Sequence, residues 1–398
     1  MDISAARLRA MRWCLLWGNF FIGCGVMVVG GALNDISANL HVSVSTVGHL
    51  IAVAAVMMGT GAPIMATVFS HIDRRYLLSG ALVWYGVGHL LCAFCPQYDW
   101  LLPVRALTVL AAAVFTPQAA AAIGLLTPLA SRGRAITFVF LGWSLAAVVG
   151  MPLAAWIGER LGWQVAMGLV GVGSLLVAVV VFRTLPRGLK PPATSLGAWK
   201  SVLSSPVLLG TVLVTALQSA GQMTMVAYSA AYLKTIFGAN PEQISTLLAY
   251  FGAMSMLGVL LLNRWVDRIT PPRAVNLTLC LMWVSMFLWP VAATLPVLAL
   301  VMLPWAISGF ATSSGQQARL SSLSPSRAPA LMSLNTSAIY LGHAAGAAGG
   351  SWVIEHHGYG ALHWPALVWS SMAIALSVWA YRASLKHPPE PPVVKQVV

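Results

Sequence analysis

Arg105 is the residue whose chemistry most needs an explanation, because it places a full positive charge inside the apolar run 100–126. A charge within a membrane span costs about 2.5–3.5 kcal/mol on insertion scales, so such a residue normally has a partner or a task. At helical rise it would lie roughly 7–8 Å from the end of its run. We expect a functional role for Arg105, with extension of its side chain to the membrane surface as the alternative.

Proton exchange requires a titratable group, and no carboxylate lies in the middle of any apolar run. The candidate proton carriers are therefore Asp35, Arg105 and the histidines His343 and His89, since an imidazole titrates near neutrality. An interhelical hydrogen bond is the alternative role for His343. We expect no metal or cofactor: no ligands cluster around Cys92, and no nucleotide-binding glycine loop occurs. An ion gradient would then supply the energy.

The elements that must position these residues are membrane helices. Of 398 residues, 59% are hydrophobic and 8% are charged, with a mean hydropathy of +0.81, too few charges to cover a soluble surface. The apolar runs are continuous over roughly 20 residues, which indicates helices and not a barrel. We predict an all-α membrane protein with twelve transmembrane spans: 13–34, 46–68, 77–95, 100–126, 135–157, 164–184, 207–233, 243–263, 275–293, 297–321, 331–354 and 362–383.

The positive charges segregate to one side of these spans. When the connecting segments are assigned alternately, 19 of the 22 basic residues fall on one side, and only Arg160 and Lys234 lie in segments on the other. This pattern excludes a nucleic-acid-binding face and places both termini in the cytoplasm by the positive-inside rule. The predicted partners are the lipid bilayer, a small-molecule substrate and protons, with no nucleic acid.

The two halves of the chain repeat each other. Asp73-Arg74 and Asp267-Arg268 lie 194 residues apart, each after the second span of its half, and the segments 150–162 and 346–358 match at an offset of 196. Six spans per half give both repeats the same orientation, as in the two halves of major facilitator transporters. We predict an N-terminal half at 1–184, a cytoplasmic linker at 185–206, a C-terminal half at 207–385 and a disordered tail at 386–398.

Several motifs resemble those of the major facilitator superfamily, in particular its twelve-helix drug/proton antiporter branch and the sugar, arabinose and purine-nucleoside efflux group. The loop "SHIDRR" resembles the signature loop between helices 2 and 3, although Ser70 replaces its usual aspartate. Arg105 matches the buried arginine of helix 4, and Gly150 with Pro152 matches the antiporter motif of exporters. The resemblance covers essentially the whole chain and implies the major facilitator fold, a monomer and a multi-pass location in the bacterial inner membrane.

The resemblance also implies where the site residues lie. Helices 1, 4, 7 and 10 of this fold line the central cavity, and helix 11 adds further polar groups. The substrate-binding candidates are Asn19, Gln118, Gln218, Gln222, Tyr228, Gln316, Asn335 and His343. The gating candidates are Asp73, Arg74, Arg75, Gly150, Pro152, Asp267 and Arg268. Because helices 1 and 4 are neighbours in this fold, we expect a pair between Asp35 and Arg105. Interhelical hydrogen bonding is the alternative for the neutral side chains.

Neutral amides and hydroxyls suit an uncharged or amphipathic ligand. The sequence therefore predicts a secondary exporter of a sugar-, nucleoside- or drug-like molecule, driven by protons and not an enzyme. An uncoupled facilitator or importer is the alternative on the same fold, because a central carboxylate is missing. A membrane enzyme would need a catalytic constellation that the spans do not contain. A membrane sensor that has lost transport is the alternative from another class.

Overall fold

The computed structural model describes residues 5–69, 71–127, 132–190, 200, 202–324 and 327–386. In these residues the chain forms helices and turns and no strand, which confirms the all-α class. Part of the predicted linker (191–199 and 201) and the tail from 387, predicted to be disordered, lie outside the described residues. The main helices are α1 (Ala5–Gly31), α2 (Leu33–Asn39), α3 (Val44–Val68), α4 (Arg74–Ala93), α5 (Tyr98–Leu126), α6 (Arg132–Leu145), α7 (Met151–Leu161), α8 (Trp163–Thr184), α9 (Pro206–Val226), α10 (Ser229–Phe237), α11 (Pro241–Ile269), α12 (Pro271–Leu288), α13 (Leu295–Leu323), α14 (Ala328–His357) and α15 (His363–Lys386).

Eleven helical segments of the described part of the chain are long and apolar enough to cross a membrane. The helix α14, which contains the predicted span 331–354, is not among them. The predicted span 207–233 is divided, because α9 ends at Val226 and α10 begins at Ser229. The number of twelve spans and the cytoplasmic position of both termini are compatible with these helices and remain predictions.

The predicted span 135–157 contains a π-helical turn, Ala146–Gly150, between α6 and α7. Pro152 has no N–H to donate to the carbonyl four residues earlier, and a widened turn is one way in which a helix accommodates such a loss. At this turn the N–H of Met151 bonds to the carbonyl of Ala146. The chain therefore carries a local irregularity at the Gly150–Pro152 motif.

The chain divides into two compact units, one of Met1–Ala193 with Val226–Gly252 and the other of Thr194–Met225 with Ala253–Val398. In the first unit α1 packs against α6, α7 and α8, and α4 packs against α5 and α8. Glycines permit the close approach of α1: a Cβ at Gly142 would lie 2.3 Å from the carbonyl oxygen of Leu16. In the second unit α12 packs against α13 and α15.

Candidate functional site

Two of the residues predicted to bind substrate, Gln316 and Asn335, form one hydrogen-bonded cluster with two threonines in the second unit. Gln316 of α13 donates from Nε2 to the carbonyl oxygen of Thr211 at 2.8 Å and to the hydroxyl of Thr215 at 3.1 Å. The Thr215 hydroxyl donates to Oδ1 of Asn335 at 2.6 Å, which joins α9 to α14. Gln222 continues the same face of α9. All these side chains are neutral, so the cluster has no charge of its own.

Two further amides extend this cluster along α9. Gln218 donates from Nε2 to Oε1 of Gln222 at 2.7 Å and makes a longer contact of 3.4 Å with the carbonyl oxygen of Gly309. The carbonyl oxygen Oε1 of Gln316 is buried and has no hydrogen-bond partner. An unpaired buried acceptor is unfavourable, so this atom would gain from a donor such as a ligand hydroxyl.

Asn19 takes part in a corresponding arrangement in the first unit. Its Nδ2 donates to the carbonyl oxygen of Val139 in α6 at 3.2 Å, and its Oδ1 accepts from the hydroxyl of Thr116 in α5 at 2.9 Å. The indole of Trp143 donates to Thr116 at 3.3 Å. Asn19 is therefore fully engaged between three helices, the arrangement expected of an interhelical hydrogen bond.

The two clusters obey the sequence repeat. Asn19 and Thr215 lie 196 residues apart, and so do Val139 and Asn335. In each unit the first helix of the repeat is thus joined to the fifth by a hydrogen bond that uses an asparagine side chain. The asparagine belongs to α1 in the first unit and to α14 in the second, while in both units the donor lies on the first helix of the repeat and the acceptor on the fifth.

The remaining substrate candidates lie apart from these clusters. Gln118 is buried in α5, immediately after Pro117. Tyr228 belongs to the first unit, where its hydroxyl packs against Gly48 so closely that a Cβ there would lie 2.0 Å away. His343 is partly exposed on α14, with its ring centroid 6.0 Å from that of Tyr340.

Arg105 is fully buried, and its partners are neutral groups on α1 and α4. Its Nη1 donates to Nε2 of His89 at 2.9 Å, and its Nη2 donates to the carbonyl oxygens of Gly25 at 2.7 Å and Val26 at 3.3 Å. The histidine was considered as a proton carrier from the sequence, but its contact with the arginine was not anticipated.

Asp35 does not pair with Arg105, so the predicted ion pair is wrong. Its Oδ2 accepts from the backbone N–H of Trp163 at 2.6 Å. That N–H begins α8 after Gly162, whose φ of +93° prevents a continuous helix. The first N–H groups of a helix have no partner within it. Burial raises the pKa of Asp35, an effect that Glu159 increases and that the Trp163 hydrogen bond and Lys234 oppose.

The three residues of the DRR motif, proposed for gating, lie at the predicted cytoplasmic edge of the first unit. Asp73 caps α4 by accepting from the N–H of Arg75 at 2.9 Å, and its other oxygen accepts from the N–H of Gly188 in the linker. Arg74 donates to the carbonyl oxygen of Ile72 at 2.8 Å. The guanidinium of Arg75 lies 4.3 Å from the ring centre of Phe182, a cation–π contact.

The other gating candidates occupy two regions. Gly150 ends the π turn and touches α1: a Cβ there would lie 2.5 Å from the sulfur of Cys24. The carbonyl oxygen of Pro152 accepts from the hydroxyl of Ser245 at 3.3 Å. Asp267 and Arg268 lie near the end of α11, and their side chains are outside the described part of the structure. The gating role of these residues stays a prediction.

Two ion pairs that the sequence did not predict join α7 to the segment Val226–Gly252 within the first unit. Lys234 of α10 bonds to both carboxylate oxygens of Glu159, at 2.9 and 3.3 Å. Arg160 pairs with Glu242 at the start of α11. Arg160 and Lys234 are the only two basic residues in the predicted outer segments, and both are used here. Their segregation was the available signal, but it did not indicate their partners.

Comparisons with known proteins agree with this architecture. The family model described as "Major Facilitator Superfamily" matches residues 15–314 and 213–397. The chain is 30% identical to the inner membrane transport protein YdhP of Escherichia coli K12 over 85% of this chain and 87% of that protein. It is 27% identical to a probable sugar efflux transporter of Helicobacter acinonychis, with 82% and 84% covered. A crystal structure of a D-xylose-proton symporter has a similar fold, with a TM-score of 0.76, 17% identity and 94% and 97% covered.

Proposed function

Because the chain belongs to the major facilitator superfamily, we propose that it exports a small uncharged or amphipathic molecule (a sugar, nucleoside or drug) in exchange for protons, by alternating access. The chain is a multi-pass transporter of the bacterial inner membrane and not an enzyme, as predicted. One relative, the probable sugar efflux transporter of Helicobacter acinonychis, supports export of a hydroxylated molecule. A monomer is proposed because one chain carries both repeats.

The proposed substrate class rests on the neutral hydrogen-bonded cluster of α9, α13 and α14. Its members offer amide and hydroxyl groups without a charged partner, and Oε1 of Gln316 is buried with no donor. A ligand hydroxyl could donate to this oxygen, whereas an anionic ligand would find no cation in the cluster. A few placed polar groups among apolar side chains are typical of small-molecule sites. The cluster therefore favours an uncharged, hydroxylated ligand.

Alternating access requires the outer ends of the helices to separate during the cycle. The pairs Lys234–Glu159 and Arg160–Glu242 tie α7 to α10 and α11 at the predicted outer side. Charged side chains at such a position can separate and rehydrate more easily than a packed apolar surface, because water solvates the freed charges. We propose that these pairs form and break in each cycle.

An uncoupled facilitator is the second candidate, and the positions of the carboxylates favour it. Each of the acidic residues in the described part of the chain lies in a short helix or within a few residues of the end of a longer one: Asp35, Asp73, Asp99, Glu159, Glu242, Asp267 and Glu355. The remaining two, Asp2 and Glu390, lie near the ends of the chain. A central proton-carrying carboxylate is therefore not available, and coupling would need another group.

The test is uptake of radiolabelled neutral sugars, nucleosides and amphipathic dyes into everted membrane vesicles energised by respiration. We expect at least one neutral compound to accumulate in vesicles that contain the wild-type protein. Gln316→Leu should abolish this accumulation, whereas Gln317→Leu, the same substitution at the neighbouring exposed position, should preserve it. Accumulation that survives Gln316→Leu would contradict the assigned substrate class, and equilibration without accumulation would favour the facilitator.

A further inference from the structure

The contact between Arg105 and His89 determines which nitrogen of the imidazole carries a proton. A guanidinium has only donors, so Nε2 of His89, 2.9 Å from Nη1, must present its lone pair. The ring proton of the neutral imidazole is then on Nδ1, which donates to the carbonyl oxygen of Tyr85 at 2.9 Å. The longer contact of 3.4 Å between Nε2 and the carbonyl oxygen of Gly25 is incompatible with this tautomer as a hydrogen bond.

A single side chain thus joins three helices around one unprotonated nitrogen. Arg105 of α5 reaches His89 of α4 through Nη1 and the Gly25 carbonyl of α1 through Nη2, at 2.7 Å. The glycine is required for this approach, because a Cβ at Gly25 would lie 2.6 Å from Nε2 of His89. The Nε of Arg105 is buried without a hydrogen-bond partner, so the guanidinium is not fully satisfied where it lies.

In the part of the chain that the structure describes, no carboxylate contacts His89; its partners are Tyr85, Gly25 and Arg105. Tyr85 lies with its ring centroid 4.2 Å from that of His89, and its hydroxyl donates to the carbonyl oxygen of Ile22. Cys92, the next titratable group on α4, lies 4.0 Å from the hydroxyl of Thr108. From α1, the backbone carbonyl of Gly25 faces His89. A protonated His89 would therefore face the charge of Arg105 with no described carboxylate in contact with either cation.

We propose that His89 is the proton-binding residue of the transport cycle, and that its protonation and its contact with Arg105 exclude each other. The inference rests on the proposed proton-driven export. In the proton-loaded state, Nε2 of His89 takes a proton from water and forms an N–H bond, while Nδ1 keeps its own proton. Two cations cannot share the 2.9 Å contact, so Arg105 leaves Nε2 and the carbonyls of α1.

The same exclusion operates in reverse. When Arg105 returns to α1, His89 loses its Nε2 proton to water, and the neutral imidazole again accepts from the guanidinium. Any event that holds Arg105 away from α1 raises the proton affinity of His89, and proton binding favours the displaced arginine by the same factor. Arg105 is on this account a positioning residue, which links the proton to the helix that it holds.

The first experiment needs no substrate. Histidine-selective ¹⁵N NMR of the purified full-length protein in lipid nanodiscs reports the tautomer of His89, assigned by the signal missing from His89→Gln. We expect the Nδ1–H tautomer, and in Arg105→Gln a proton affinity of His89 raised roughly tenfold or more, because the adjacent cation is gone. The signals of His343, far along the chain on α14, should not move and serve as the control for folding. An Nε2–H tautomer, or an unchanged proton affinity in a folded Arg105→Gln protein, would overturn the proposal.

The second experiment separates this inference from the proposed function. It uses the compound that the wild-type protein accumulates in everted vesicles, and compares His89→Gln with His356→Gln, a change at an exposed histidine near the end of α14. The glutamine can still accept from Arg105 but cannot bind a proton, so we expect His89→Gln to exchange labelled for unlabelled compound yet to lose accumulation driven by a pH gradient. His356→Gln should keep both. Gradient-driven accumulation that persists in His89→Gln with an unchanged pH profile refutes the role of His89, while export by the wild type still stands.

Discussion

The ion pair between Glu159 and Lys234 gives the most quantitative prediction. Reversing the acidic residue, Glu159→Lys, replaces an attraction at 2.9 Å by a repulsion between two lysines. Under alternating access this should favour conformations in which the outer ends of α7 and α10 are apart. The double variant Glu159→Lys/Lys234→Glu restores opposite charges in exchanged positions and should return the equilibrium toward that of the wild type.

The expected size follows from the exposure of the two side chains. Lys234 is 50% exposed and Glu159 is 20% exposed, so the pair is close to the surface case, which is worth about 0.2–1 kcal/mol. Like charges at the same separation destabilise the closed outer end by a similar amount. Charge reversal therefore changes the free-energy difference between the closed and open forms by roughly 0.4–2 kcal/mol. With RT near 0.59 kcal/mol, this corresponds to a change of roughly 2- to 30-fold in the population of the open form. High salt should reduce the effect, since the screening length is about 3 Å at 1 M.

The assay measures how fast a buried outer residue becomes accessible. Ala227 is buried in the first unit, beside Gly30, and Ala227→Cys introduces a small reporter there. The accessible native thiols Cys95 and Cys280 are replaced by serine. A membrane-impermeant maleimide added to intact cells should label Ala227→Cys roughly 2- to 30-fold faster in Glu159→Lys than in the parent. Asp99→Lys, which reverses another exposed acidic residue on the predicted outer side, is the matched control and should leave the rate unchanged.

Two results would refute the reasoning. The first is a labelling rate in Glu159→Lys equal to that in Asp99→Lys, which would mean that the pair contributes nothing to closure. The second is a double variant that behaves like the single one, which would show that the lysine at position 159 acts through something other than Lys234, such as the nearby carboxylate of Asp35.

Three further predictions concern the first unit. Gly150→Ala should lower the thermal unfolding temperature and slow transport, because its Cβ would lie 2.5 Å from the sulfur of Cys24. The control Gly168→Ala should be neutral, because its Cβ would have no atom within 4 Å, and equal effects of the two variants would contradict this packing. Asp73→Ala should accelerate tryptic cleavage after Arg187, since the acceptor of the Gly188 N–H is lost, and Asp73→Asn should have a smaller effect. Unchanged cleavage would refute the linker contact. Asp35→Ala should destabilise the protein by about 0.5–2 kcal/mol, as for loss of a helix cap, whereas Asp35→Asn retains an acceptor. Burial raises the pKa of Asp35, so the carboxyl binds its proton more favourably in the folded state than in the unfolded state. The resulting contribution to the free energy of unfolding is present at low pH and is lost as the pH rises through the raised pKa. An unfolding-temperature difference between wild type and Asp35→Asn that is constant from pH 4 to 8 would contradict this.

Helices and the family could be read from the sequence, because apolar runs and charge segregation are imposed by the bilayer along the whole chain. The repeat at an offset of 196 even contained the equivalence of Asn19 and Thr215, although the threonine was not chosen. Thr116 and Thr215 were missed because a threonine in a span normally bonds to its own helix, and only the packing of helices shows which hydroxyls bond across.

The partners of charged residues could not be predicted, and Asp35 shows why. It lies in α2, shortly after α1 ends at Gly31, and two groups could satisfy it: Arg105 and an unpaired N–H at the start of α8. The choice depends on a few ångströms of helix register, which apolar periodicity does not determine. Arg105 in turn donates to backbone carbonyls on α1. Any residue can supply a backbone carbonyl, so the sequence gives no indication of these partners.

The most direct test of proton-driven export is an imposed pH jump in everted vesicles without respiration. The vesicles are loaded at acidic pH, diluted into alkaline buffer that contains the neutral labelled compound, and then treated with nigericin to collapse the gradient. The account predicts accumulation above the external concentration that nigericin releases, and its absence in His89→Gln vesicles. Accumulation insensitive to nigericin, or equilibration to the external concentration at every imposed gradient, would contradict it.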